Sequence, residues 1–181
     1  MKGNELPHIQ TAIPGPQSQA WIDKLSMYEC PAITARRARR AASLGVAKDD
    51  PIVWQAAVGS NVKDVDGNIF IDLTAGFGVS GVGHRNAAVS QAGKKQLDTL
   101  IHAMGDAFPD PARIRLLEAL SSCSTMDRAI LGCSGSDSID AAIKTACLAT
   151  GRAKVLAFSN SYHGLAFGSL PTTDYKADYR R

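Results

Sequence analysis

The sequence predicts an α/β protein in two parts, an antiparallel hairpin segment followed by the start of a parallel sheet, and three observations carry that prediction. Residues 128–164 read as strand, helix and strand joined by short connections, an order that implies a right-handed parallel crossover. Residues 62–65 and 69–73 flank Asp66-Gly67, the strongest short hairpin signal in the chain. A length of 181 residues with 45% hydrophobic content suffices for one domain with a real core and is short for two.

Within 128–164 the elements follow from periodicity. Residues 128–133 are a short apolar run of strand length. Ser134, Gly135 and Ser136 make a small, flexible corner, and from Asp137 onward Ile139, Ala142, Ile143 and Ala146 recur at the i, i+3, i+4, i+7 spacing of a helix face. Asp140 and Lys144 fall opposite, four apart with the acid first, the better order for a surface ion pair. Gly151 stands where a left-handed cap is expected. Residues 154–158 are a second apolar run.

The corner is where chemistry enters. A helix N-terminus presents unpaired N–H groups and about half a positive charge, and Gly135 lets a ligand approach the main chain with no Cβ in the way. The corner therefore reads as a phosphate seat, to which Ser136 adds a hydroxyl donor. It reads equally well as a plain cap, with Ser134 at the N-cap and Asp137 three residues on. Both loops that follow parallel strands open on one sheet edge, which makes Tyr162 and His163 neighbours of the corner. Tyr162 offers a flat apolar ring face and His163 a group ionisable near neutral pH. Together with the seat they favour a phosphorylated aromatic cofactor.

The rest of the chain is read in order. Residues 1–20, with Pro7, Pro14, Gly15 and Pro16, read as an extended arm rather than packed structure. Residues 17–44 are rich in Ala and Arg and favour helix, interrupted at Pro31. Residues 51–58 look like a strand ahead of the hairpin. Gly76, Gly78 and Gly81 literally fit Gly-x-Gly-x-x-Gly. The preceding strand belongs to a hairpin, however, and residues 82–85 intervene before any helix, which argues against a dinucleotide site. Residues 86–102 form the next helix, weakened by Gly93. Residues 104–111 are a linker broken by Gly105, Pro109 and Pro111, and 112–120 are a helix. Residues 165–170 start a short helix that Pro171 stops, and the chain closes on polar Asp178, Tyr179, Arg180 and Arg181.

Composition narrows the function classes. The net charge of +3 is small, and the basic cluster Arg36, Arg37, Arg39 and Arg40 has no interleaved aromatics, so it reads as a solvated helix face, not a nucleic-acid arm. No run approaches a membrane span and residues 1–19 lack the apolar centre of a signal peptide, which predicts a cytosolic protein. Cys30, Cys123, Cys133 and Cys147 show no paired spacing, and the histidines no i, i+4 spacing. A disulfide frame or a metal site is not expected.

The run SGSDSIDAAIKTACLATGR followed by YHG closely resembles the class III, fold type I, pyridoxal-phosphate-dependent aminotransferases. The stretch DVDGNIFIDLTAGFGVSGVGHRN resembles the N-terminal region of the same family. The resemblance implies that Gly135 and Ser136 hold the phosphate of pyridoxal 5'-phosphate, that Tyr162 stacks on its pyridine ring and that His163 lies beside it. It places the glycine-rich loop at the substrate pocket. Phe77 is the pocket residue there, against the other reading of a buried aromatic plug, and His84 is a hydrogen-bonding brace. Asp137 stands where Glu is usual and Ser138 where Ala is common, and neither departure removes a phosphate contact. The implied organisation is an extended arm at 1–20, a small-domain segment with the hairpin at 21–110, and an incomplete beginning of the cofactor-binding large domain at 111–181.

Pyridoxal phosphate chemistry also needs a lysine for the Schiff base and a carboxylate paired with the pyridine nitrogen. The resemblance implies that both lie downstream of YHG, so no catalytic residue is assigned. Lys94, Lys95, Lys144, Lys154 and Lys176 do not substitute, since they fall on helix surfaces, at a strand start or in the tail. The expectation is the N-terminal part of an aminotransferase, homodimeric at full length, that moves an amino group between an amino acid or amine and a 2-oxo acid. The 181 residues alone are expected to be inactive, with too few strands to close a sheet. The alternatives are a pyridoxal-phosphate racemase or epimerase of the same fold, a non-catalytic phosphate-binding module and, disfavoured by the loop context, a dinucleotide oxidoreductase.

Overall fold

The first two helices each begin on a proline. In the computed structural model, which describes residues 1–47 and 50–174, α1 spans Pro16–Tyr28 and α2 spans Pro31–Leu44. At the first helical position proline's missing N–H is no loss and its fixed φ is already helical. Pro31 therefore starts a helix as well as marking the break before it. Gly45 closes α2 in the left-handed conformation, at φ 67°.

The chain divides into two units, Met1–His102 and Ala103–Arg181. In the first, β1 (Trp54–Val58), β2 (Asn61–Asp64) and β3 (Ile69–Ile71) form an antiparallel sheet in the order β1-β2-β3. The hairpin expected around Asp66-Gly67 is present, with Asn61 opposite Ile71 and Lys63 opposite Ile69. Gly67 turns the chain at φ 89°, where a side chain would be strained. The strand expected from residue 51 begins three residues later, at Trp54. The helix expected at 86–102 is α3 (Ala87–Thr99), capped by the Asn86 side chain, which accepts from the N–H groups of Ala88 and Val89.

The first residues are not a free arm. His8 pairs with Ile69 of β3 through both its N–H and its C=O. Asn68, fully buried in the turn, accepts from the N–H of Gln10 at 2.8 Å and of Thr11 at 3.1 Å, and donates to Asp64 Oδ2 at 2.7 Å. Asn61, also buried, accepts the Glu5 N–H at 2.8 Å and donates to the Glu5 carbonyl at 2.9 Å. An asparagine amide carries the same donor and acceptor as a peptide, so these two side chains satisfy an irregular backbone that no strand accompanies. Asp66 then accepts from the N–H groups of Gln17 and Ser18 at 2.7 and 2.8 Å and caps α1 from a distance, because Gly15 at the N-cap has no side chain to do so. Removal from water raises the Asp66 pKa, but the bonds from Ser18 and Gln17 outweigh that and hold it below the usual carboxylate range.

In the second unit, α4 (Pro111–Ser122) again opens on a proline, with Asp110 capping the Arg113 N–H at 2.9 Å. Helix α5 (Gly135–Thr150) runs as its periodicity predicts and ends at Gly151, φ 67°. Lys144 and Asp140 pair at 2.6 Å one turn apart on α5, a contact worth little while the lysine stands in water. Its Ile139, Ala142, Ile143 and Ala146 face residues 155–158 across an apolar groove of ≈ 390 Å³.

Two expectations fail here. Residues 128–133 and 154–158 take no sheet ladder among the described residues. A strand exists only as a member of a pair, and an apolar run of the right length does not by itself supply the neighbour. The short helix expected at 165–170 is instead a single 3₁₀ turn, Leu170–Thr172, in which Pro171 sits in the first turn rather than ending one. Lys176 and the polar residues 178–181 lie outside the described residues.

Candidate functional site

The site is built at the start of α5. Ser134 has extended backbone (φ −151°, ψ 163°) and its hydroxyl accepts the Asp137 N–H at 3.1 Å, so the capping role is real. A cap of this kind takes the third donor of the helix and leaves the first two. The N–H groups of Gly135 and Ser136 have no protein acceptor among the described residues. A Cβ built on Gly135 meets nothing within 4 Å, so the space beside this backbone is kept open by glycine and not filled by protein. A cap and two donors without a protein acceptor among the described residues therefore coexist at one corner.

Gly135, Ser136, Tyr162, His163 and Gly164 line a single cleft of ≈ 690 Å³. Four of the residues singled out in the sequence are thus brought together, although the strands expected to align their loops are absent. What aligns them is a set of hydroxyls. The His163 N–H donates to Thr173 Oγ1 at 3.0 Å, and that hydroxyl donates to the Gly164 carbonyl at 2.8 Å. Ser161 Oγ donates to the Thr172 carbonyl at 2.7 Å, and the Asp174 N–H returns to the Ser161 carbonyl at 2.8 Å. Thr173 is fully buried under the loop that carries Tyr162. The Tyr162 side chain is exposed, as a stacking platform has to be.

Ser136 departs from its expected part. Its Oγ accepts the Ala166 N–H at 3.1 Å and lies 2.7 Å from Ser169 Oγ, so the hydroxyl expected to serve a ligand is already engaged by the loop. Gly164 packs against the same oxygen: at φ 103° a Cβ there would stand 2.6 Å from Ser136 Oγ. Ser169 and Thr173 were not visible as site residues in the sequence. The only local hint is a cluster of small hydroxyl residues after Gly168.

This donor set fits a phosphate ester with an aromatic body. Two backbone N–H groups at a helix N-terminus suit an oxyanion, the glycine keeps the approach open, and an exposed ring stands in the same cleft. Among the described residues no cluster of metal-ligating side chains is present, and no helix is long and apolar enough to cross a membrane.

Phe77 belongs to the first unit. It is 97% exposed at φ 60°, between Gly76 and Gly78, and no described residue of this chain buries it. The loop that presents it is pinned by Asp72 and His84. Asp72 accepts from His84 Nε2, from the Thr74 N–H and hydroxyl and from the Gly76 N–H, at 2.8 to 3.0 Å. Those bonds, the His84 ring first, lower the Asp72 pKa to about 2. His84 Nδ1 lies 3.2 Å from Ser80 Oγ, and the His84 backbone pairs with Gly59. The brace expected of His84 is what the geometry shows. The glycines open no helix, since α3 begins only at Ala87, so the dinucleotide reading has no support.

The class-III aminotransferase family model matches residues 45–181. An alanine/serine racemase from Pyrococcus horikoshii is 31% identical over 98% of this chain and 35% of its own length. An acetylornithine aminotransferase from Archaeoglobus fulgidus is 35% identical over 72% of this chain and 34% of its own. Among solved structures, a taurine:2-oxoglutarate aminotransferase from Bifidobacterium kashiwanohense, in complex with PLP and glutamate, superposes with a TM-score of 0.66 at 26% identity. That match covers 70% of this chain and 29% of that one. The chain spans about a third of the length of the curated relatives it matches.

Proposed function

The chain belongs to the class-III aminotransferase family, and on that premise we propose that it forms the phosphate-holding part of a pyridoxal-phosphate-dependent aminotransferase. The whole protein moves an amino group between an amino acid or amine and a 2-oxo acid, in the cytosol and as a homodimer. The observation that carries this reading is the cleft in which the free N–H groups of Gly135 and Ser136 stand with Tyr162 and His163.

In this reading the main chain of Gly135 and Ser136 holds the cofactor phosphate, and Tyr162 covers one face of its ring. His163 lies beside it, and Phe77 lines the substrate pocket. Pyridoxal phosphate, when bound, supplies an electron sink that stabilises negative charge at the carbon bearing the amino group. The residues of this chain bind and orient, and none is assigned a proton transfer. Residues 1–20 lead into the small-domain segment 21–110 and are held on its hairpin, and 111–181 begin the cofactor-binding domain.

A second reading, a racemase, is supported by the alanine/serine racemase that aligns with nearly all of the chain. The two separate in one assay of the full-length protein loaded with cofactor and given a single enantiomer of an amino acid. Amino transfer requires an added 2-oxo acid and yields a new amino acid, whereas racemisation needs no acceptor and yields the mirror image. The 181 residues themselves are tested by visible absorption with pyridoxal phosphate before and after borohydride. Saturable, reversible binding is expected, with borohydride fixing no adduct beyond the scattered capture by surface lysines. Absence of binding refutes the seat.

A further inference from the structure

The pair Ser136 and Ser169 gives the phosphate seat one internal degree of freedom. We propose that Ser169 is a positioning residue for the seat, a buried hydroxyl that turns the Ser136 proton toward a bound phosphate. The inference rests on the reading that the α5 corner holds a phosphate. It goes further by saying how Ser136 becomes a donor.

The argument is a count of protons and lone pairs. A serine hydroxyl has one proton to give and two lone pairs with which to accept. Ser136 Oγ uses one lone pair on the Ala166 N–H at 3.1 Å. Ser169 Oγ lies 2.7 Å from Ser136 Oγ, with either atom able to donate, and 3.1 Å from the Ala166 carbonyl oxygen. Two arrangements satisfy these distances. In the first, Ser136 donates to Ser169 and Ser169 donates to the Ala166 carbonyl, and the Ser136 proton is spent inside the protein. In the second, Ser169 donates to Ser136. Both lone pairs of Ser136 are then filled, and its proton is the one element left to place.

Ser136 lines the cleft, so that proton falls to a ligand there. Ser169 is 0% exposed, so no water competes for its hydroxyl and its proton has only these two destinations. A phosphate in the seat selects the second arrangement. Donation into the Ser136 oxygen also polarises the proton that Ser136 gives, so the two bonds strengthen each other. The exchange gives up one bond, from Ser169 to the Ala166 carbonyl, and leaves the Ala166 N–H tied to Ser136. The loop from Gly164 to Ser169 stays in place while the seat changes character.

The test is a double-mutant cycle on the 181-residue chain, read by calorimetric titration with pyridoxine 5'-phosphate. That probe has no aldehyde for surface lysines to capture, and inorganic phosphate serves as a second probe for the anion alone. Ser136→Ala is expected to weaken binding about tenfold, the scale of a hydrogen bond to a charged group, and Ser169→Ala about threefold. Ser169→Thr, which keeps the hydroxyl, restores affinity. Ser169→Cys, which keeps the size but donates poorly, shows the same weakening as alanine and serves where alanine unsettles the loop.

In the Ser136→Ala background Ser169→Ala adds nothing. An equal loss in both backgrounds means that Ser169 merely holds the loop, and overturns the proposal. So does an unchanged affinity for Ser169→Ala and Ser169→Cys while Ser136→Ala weakens binding. If Ser136→Ala and Gly135→Val both leave affinity untouched, the phosphate seat itself falls, and the relay with it.

Discussion

Replacing Gly135 by valine separates what the α5 corner does for the fold from what it does for a ligand. Gly135 does not need a left-handed φ, and a Cβ built on it meets no atom within 4 Å, so the substitution forces no clash within the protein. At a helical position it removes glycine's excess backbone freedom, so stability should hold or rise slightly. A phosphate oxygen bonded to the N–H of Gly135 or Ser136 lies within about 2.9 Å of the main chain, the volume that the branched side chain would take. Displacing it forfeits a hydrogen bond to a charged acceptor, worth about 1.5–3 kcal/mol, or an affinity loss of about tenfold to a hundredfold. Titration with pyridoxine 5'-phosphate gives the affinity, and urea unfolding of the same samples gives the stability. Affinity that is unchanged at unchanged stability removes the corner from the site. Affinity and stability lost together would show that Gly135 is there for the fold, against the open space found beside it.

Three further outcomes are expected. Tyr162→Ala should weaken cofactor binding by about 1 kcal/mol, the scale of an aromatic pair, and a loss of solubility with unchanged affinity would assign the ring to packing instead. Asn68→Ala should lower unfolding stability in urea by about 2–4 kcal/mol, because it strands two backbone N–H groups and takes the amide donor from Asp64 Oδ2. A cost below 1 kcal/mol would mean that water replaces them. Asp72 has its pKa lowered from 3.8 to about 2 by the His84 bond first, so its contribution to stability is complete above the higher value and is lost as pH falls toward the lower. Unfolding measured across that window should show the decline, and His84→Asn should flatten it. A profile that His84→Asn leaves unaltered would refute the attribution.

The local parts of this structure were legible. The face of α5, its Asp140–Lys144 pair and its Gly151 cap follow from spacing along one element, and the Asp66-Gly67 hairpin from two residues. The residues of the cleft were legible as well, because a corner, a helix start and an aromatic pair are each short patterns. Partners at a distance were not. Nothing near Asn61 or Asn68 signals that each will hold a backbone more than fifty residues away, so residues 1–20 read as an extended arm. The same limit hid Ser169, which lies 33 residues from Ser136. Runs such as 128–133 failed for the opposite reason, since their pattern was clear but their neighbours lie in no pattern at all.

The way the opening residues are woven onto the hairpin also orders events in time. Glu5, Gln10, Thr11 and Ser18 find their partners across separations of 48 to 58 residues. On a ribosome residues 5–18 must wait, with their amides facing water, until residues 61–72 have emerged and turned. The corner of α5 closes far sooner after its own synthesis, since its cap reaches only three residues. Residues 5–18 therefore precede the hairpin in synthesis yet cannot be seated before it has formed. Loss of residues 5–11 would reach the hairpin as a missing partner, leaving Asn61 and Asn68 without the backbone they hold.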